Sequence, residues 1–336
     1  MRGFERSLVA GGDLPYHQLV VRSLRSSAAD LNLVLDPLRL AASAPQAWWL
    51  LGRLRPAALF TTGGYLALPL VAAARARGIP SLLWEGNVTP GRATAALARL
   101  ATRVAVSFPP TLAAFPGRSF VSGTPIRSFA AVDRVAARAS FGIAPDERLL
   151  LVFGGSQAVA RITSALDAAL EQLLGDWRVL HLAGATGMPA AEALRGRLPA
   201  AVRDRYRPMA FLTDRMADAL VASDLVLGRA GSSTCAEVAA VGVSSILVPY
   251  PHAAGHQQAN AAWLADQGAA VMVRDDELSG DRLLAEATGL RDDARRARMA
   301  GAALAIARPD AAQRLAAELL AMAGRRPLPS LAGTAG

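Results

Sequence analysis

Short runs rich in leucine and β-branched residues, each followed by a longer stretch with helical spacing, constrain this chain more than any other feature. They read ALFTT, SLLW and RVAVSF in the first half, then RLLLVFGG, WRVLHLAG, DLVLGRAG and SSILVPY in the second. Strands that alternate with helical segments predict parallel sheets joined by crossover helices. Between the two sets, around residues 121 to 147, glycine, proline and charge thicken, which places a junction there. The expected division is a first domain over residues 1–126, a linker over 127–146 and a second domain over 147–306. A C-terminal helix over 307–324 and a disordered tail over 325–336 follow.

The 336 residues suffice for two domains with ordinary cores. All 36 basic residues are arginine, and the formal net charge of +9 asks for an anionic partner. The arginines are scattered and aromatics make up only 5%, which argues against nucleic acid and leaves anionic lipid or nucleotide phosphate. The single cysteine, Cys235, excludes an intrachain disulfide and a cysteine-based zinc cluster, and it reads as a small buried hydrophobe. The charge-free run from Pro56 to Ala74 matches a bilayer-spanning helix in length. It contains Gly63-Gly64 and two prolines, however, and reads as a strand, a glycine turn and a helix start.

Several strand ends carry polar chemistry. LLLVFGGSQ leads through Gly154-Gly155 to Ser156 at a helix start, where backbone N–H groups and the positive dipole end suit a phosphate or an ordinary capped turn. DLVLGRAGSSTCAE repeats the device, with Glu237 about one turn into the helix as a ribose acceptor or a dipole complement. PHAAGHQQANAAWL follows a strand, and a helix starting near His256 would set Gln257 and Asn260 on one face as readers of sugar hydroxyls. His252 and His256 lack a third ligand, so no metal is expected. In the first half, strand-end loops carry Gly63, Gly64, Tyr65, Glu85, Asn87 and Arg92, set to face the second domain's loops across a cleft. Trp48 and Trp49 beside Arg53 and Arg55 suit an interfacial helix on anionic lipid, and equally a buried core helix.

The order GGY, WEGN, GTPIR, FGGSQ, FLTDRM, GRAGSSTCAE and HQQANA resembles the MurG family over nearly the whole chain. That resemblance implies the GT-B glycosyltransferase fold, two Rossmann-like doubly wound domains across a cleft. It also implies inverting transfer of N-acetylglucosamine from UDP-GlcNAc to undecaprenyl-diphospho-muramyl-pentapeptide, without metal or cofactor, at the cytoplasmic face of the membrane. Cell-wall synthesis, and through it cell shape and division, would be the setting. Carried over by position, Ser156 and Arg127 serve the diphosphate, Phe211, Leu212 and Met216 the uracil, Glu237 the ribose, and Gln257 with Asn260 the sugar. Gly63, Gly64, Tyr65 and Asn87 resemble acceptor-side loops, and Trp48, Trp49, Arg53 and Arg55 overlap the membrane-facing segment.

The family's first GGTGGH loop, with the histidine proposed as base, has no counterpart after Met1. The first domain is therefore expected to lack a strand-loop-helix unit, and the catalytic base is unassigned. The alternatives are a noncatalytic UDP-sugar-binding remnant and a related transferase with another lipid acceptor.

Overall fold

The computed structural model describes residues 15, 17, 19, 32–154, 160–251, 253 and 255–324. The expected tail over 325–336 and Ser156 lie outside these residues. Two compact units form. One comprises the described residues up to Glu85, Pro90–Val121 and those from Gln313, and the other comprises Gly86–Thr89 and Ser122–Ala312.

Among the described residues, the first element of the first unit is α1 (Asn32–Leu54). It ends at Arg55, which takes a left-handed φ of 44° and donates its N–H to the Leu51 carbonyl before Pro56 forbids another turn. Then follow β1 (Leu59–Thr61), α2 (Leu68–Ala76), β2 (Ser81–Glu85), α3 (Arg92–Ala98), β3 (Arg103–Val106) and β4 (Ser119–Val121). The strands are parallel in the order β1-β2-β3-β4. One face packs Leu83, Val104, Val106 and Val121 against Val71 and Leu97 of the crossover helices.

The second unit begins with α4 (Arg134–Ser140), whose Asp133 caps it by accepting from the Ala136 N–H at 2.7 Å. The segment expected as a linker therefore contains a capped helix and belongs to this unit. Next come β5 (Arg148–Phe153), α5 (Ala160–Asp176), β6 (Trp177–Leu182), α6 (Gly184–Arg197), α7 (Ala200–Arg203) and β7 (Tyr206–Met209). They are followed by α8 (Met216–Ala222), β8 (Leu225–Gly228), α9 (Ser232–Val241), β9 (Ser244–Leu247), α10 (His256–Asp266), β10 (Val271–Met272), α11 (Gly280–Gly289) and α12 (Asp293–Ile306). The order β10-β9-β8-β5-β6-β7, all parallel, is the doubly wound arrangement, and the winding reverses between β5 and β8. Leu150, Val152, Val179, Leu225, Leu227 and Ile246 meet Ile162, Leu166, Leu170 and Leu173 of α5, whose spacing makes one apolar face.

The last described helix, α13 (Ala311–Met322), returns to the first sheet. Leu315, Leu319 and Met322 cover Leu82, Ala105 and Phe120 on the face opposite α2 and α3. Inside that contact Arg103 and Glu318 pair at 2.5 Å, with side chains 9% and 1% exposed. The helix expected as a separate element is part of the first core. No described helix is long and apolar enough to cross a membrane, in keeping with the reading of residues 56–74 as strand, turn and helix.

Candidate nucleotide-sugar site

Where the winding of the second sheet reverses, the carboxyl ends of β5 and β8 stand side by side, with Phe153 paired to Gly228. Open α/β sheets bind ligands in that crevice. α9 starts four residues past β8, so its unpaired N–H groups and positive dipole end stand at the same edge. Ser232 in its first turn is 2.9 Å from Thr124 Oγ1, which ties the segment entering the unit to the helix start.

Glu237 lies one turn further along α9 and is buried. Its Oε1 accepts from Arg127 Nε at 2.9 Å, while the Arg127 side chain stays 44% exposed. The structure brings together the residues expected for ribose and diphosphate as an ion pair. A half-exposed guanidinium so anchored is preorganised for an anion. Cys235 on the same helix is buried, which pushes its thiol up to about 12 and leaves it without nucleophilic character at neutral pH.

α10 begins at His256, as the sequence predicts, after Gly255 takes a left-handed φ of 79° at the N-cap. Gln257 is half-buried, and its Oε1 accepts from the Tyr250 N–H at 3.0 Å. Asn260 lies one turn further along. It is fully buried, its Nδ2 donates to Asn87 Oδ1 (3.1 Å) and the Ala230 carbonyl (3.2 Å), and its Oδ1 accepts from the Val88 N–H (2.9 Å). Both amide donors meet protein groups, so Asn260 brackets residues 86–89. His256 adds to the bracket, its Nδ1–H donating to the Thr89 carbonyl at 2.9 Å. His252 lies outside the described residues.

Of the uracil candidates, Phe211 is 66% exposed, Leu212 is buried and Met216 opens α8. In the first unit, Gly63 and Gly64 take φ of 87° and 85°, a left-handed pair that only glycine adopts without strain, and they lead into an exposed Tyr65. Glu85 is buried at the end of β2, accepting from the Gly91 N–H at 3.2 Å. Trp48 and Trp49 are 47% and 59% exposed, so they do not fill the core; Ala47 and Leu51 do. Arg77 stacks 3.9 Å from the Trp48 ring centroid and Arg53 lies 5.4 Å from that of Trp49.

Sequence reasoning passed over Arg229 and Asp275. Arg229 is buried directly after β8 and reaches Asp275 Oδ1 at 2.5 Å. A charge set between Gly228 and Ala230 at a strand end was the available signal.

The fold defines an α/β protein of two parallel-sheet units, the architecture of GT-B glycosyltransferases. Residues 1–106 match the glycosyltransferase family 28 N-terminal domain and residues 149–315 its C-terminal domain. The UDP-N-acetylglucosamine--N-acetylmuramyl-(pentapeptide) pyrophosphoryl-undecaprenol N-acetylglucosamine transferase of Salinibacter ruber is 39% identical over 314 residues, 92% of this chain and 83% of that one. The enzyme of the same name from a Nocardioides species is 38% identical, covering 94% of this chain and 86% of its own. The crystal structure of Acinetobacter baumannii MurG superposes with a TM-score of 0.74 at 30% identity, over 94% of this chain and 87% of that one. The chain belongs to the MurG family of glycosyltransferases.

Proposed function

We propose that this chain transfers N-acetylglucosamine from UDP-N-acetylglucosamine to an undecaprenyl-diphospho-muramyl-pentapeptide, the step for which its relatives are named, and so acts in peptidoglycan synthesis. The observation that carries the donor half is the Arg127–Glu237 pair beside the start of α9 at the switch point. The acceptor hydroxyl oxygen bonds to the anomeric carbon, the bond from that carbon to the diphosphate oxygen breaks, and configuration inverts. A general base takes the hydroxyl proton. UDP leaves with growing negative charge, which the α9 N-terminus and Arg127 are arranged to stabilise without reorganising. Ribose hydroxyls would donate to Glu237, Phe211, Leu212 and Met216 would border the base, and Gln257 would read the sugar. Gly63, Gly64, Tyr65 and Asn87 would serve the acceptor side.

The exposed Trp48 and Trp49, flanked by Arg53 and Arg55, support peripheral attachment to the anionic cytoplasmic face of the membrane. No acidic residue occurs from Pro37 to Trp84, which leaves that stretch purely basic.

The test is transfer of labelled sugar from UDP-N-acetylglucosamine to a short-chain acceptor analogue, with product configuration read by NMR. A β-linked product is expected. Hydrolysis or binding without transfer would sink the reading. Glu237→Ala should weaken UDP by about 1 to 3 kcal/mol, the cost of unpairing a buried polar partner, and unchanged affinity would remove Glu237 from the ribose role.

A further inference from the structure

Arg229 and Asp275 lie among the strand-end loops of the second sheet, outside the groups assigned above. Arg229 Nη1 donates to Asp275 Oδ1 at 2.5 Å and stands 3.3 and 3.4 Å from the carbonyl oxygens of Val248 and Pro249, where β9 runs out. Its guanidinium is 5.5 Å from the centroid of the Tyr250 ring. The other carboxylate oxygen of Asp275 lies 3.9 Å from Arg161 Nε in the first turn of α5. One ion pair, of buried Arg229 and half-buried Asp275, therefore joins the segments that follow β8, β9 and β10 to the start of α5. An ion pair with one partner buried seldom maximises stability over apolar packing, and here it holds the backbone next to a candidate ligand-reading group.

That segment leads directly to Gln257. Tyr250, next to Pro249, gives its N–H to Gln257 Oε1 at 3.0 Å. With the amide oxygen occupied, Nε2 is the group Gln257 has left for a ligand.

We propose that Asp275 is a positioning residue for the donor sugar. Through Arg229 it fixes the backbone of residues 248–250, which engages Gln257 by its amide oxygen, so that Gln257 reads sugar oxygens as a hydrogen-bond donor only. This rests on the reading of Gln257 as the sugar-reading residue.

The experiment compares Asp275→Asn, Asp275→Ala, Gln257→Ala and the double variant Gln257→Ala with Asp275→Asn in the full chain. KM and kcat are measured with UDP-N-acetylglucosamine, and UDP binding by calorimetry. Asp275→Asn keeps the shape of the carboxylate and removes its charge, so it reports even where Asp275→Ala fails to fold. It is expected to raise KM for the nucleotide sugar about tenfold, the loss of one well-held hydrogen bond, with kcat changed less than about twofold and UDP affinity unmoved. The double variant should then be no worse than Gln257→Ala alone. Equal weakening of UDP and UDP-sugar would assign Asp275 a merely structural role and overturn the proposal. Additive effects, or a silent Asp275→Asn beside an active Gln257→Ala, would overturn it while leaving Gln257 as the reader. If Gln257→Ala itself left KM unchanged, the reading of Gln257 would fail and the proposal with it.

Discussion

Both sheets are parallel and both are filled by leucine, valine and alanine, yet the second closes its core with its own crossover helices, whereas the first draws on α13 from beyond residue 310. Their strand-end loops differ as well. Those of the second unit are tied by polar side chains that are buried or half-buried: Asn260 to residues 86–89, Arg229 to Asp275, Gln257 to Tyr250. The Gly63-Gly64 turn of the first leads instead to Tyr65 and Leu66, 44% and 42% exposed. The contrast fits the proposed division of labour. Hydroxyls and phosphates are discriminated by donors fixed in advance, because a misplaced buried donor costs as much as a good one contributes. A lipid-linked acceptor needs apolar surface that is open before it arrives.

The largest effect should come from the first sheet's dependence on α13. Glu318→Ala removes the carboxylate that pairs with buried Arg103 inside this core, which costs about 3 to 5 kcal/mol. Hydrogen exchange should show the loss in β2 and β3 while β5 and β8 keep their protection, and a uniform loss would break the comparison. Next in size is an acid effect confined to the second unit. His181 is fully buried, with Nδ1 2.9 Å from the Tyr206 hydroxyl, and burial lowers its pKa to about 4. The unfolded chain binds this proton near pH 6.5 and the folded one only near 4. Stability is thus complete above pH 6.5 and falls as pH drops toward 4, by about 3 kcal/mol. Calorimetry between pH 7 and 4 should show the second unit melting earlier, and His181→Gln should flatten that slope. An unchanged wild-type profile would refute the account.

A smaller loss, about 1 to 3 kcal/mol, is expected for Asn260→Ala, which removes its hydrogen bonds to the Val88 N–H, Asn87 and the Ala230 carbonyl. It should raise exchange at Val88 while UDP affinity stays as it was. A selective loss of the sugar with Val88 still protected would return Asn260 to the role the sequence suggested.

The limits of sequence reasoning follow from the same contacts. Seven strands were legible as apolar runs between breakers, and so were Gly63-Gly64 and the start of α10 at His256. β4, β7 and β10 were not, because SFV, YRPM and VM are too short or too interrupted to show a period. The Glu237 site was readable from a strand, a glycine and an acid one turn on. Its partner Arg127 lies 110 residues away, and no local pattern joins them. The contacts of Asn260 were hidden for a related reason: an amide on a helix face looks the same whether a sugar or residues 86–89 will use it.

The smallest expected change in stability completes the comparison. Trp48 and Trp49 project from α1 while Ala47 and Leu51 of the same helix fill the core. Replacing both tryptophans by serine should therefore change stability by no more than about 1 kcal/mol, little for two large side chains. Stacking of Arg77 on Trp48 sets the upper end of that range, since a cation over an exposed ring contributes about 0.5 to 1 kcal/mol. Binding to vesicles with anionic headgroups should nonetheless fall several-fold, because an aromatic ring gains from the headgroup boundary what serine does not. Co-sedimentation with anionic and with neutral vesicles checks both parts. If the double variant binds anionic vesicles as wild type does, the arginines alone hold the surface. If it unfolds, the rings belong to the core after all, and the first unit is no more open at its edge than the second.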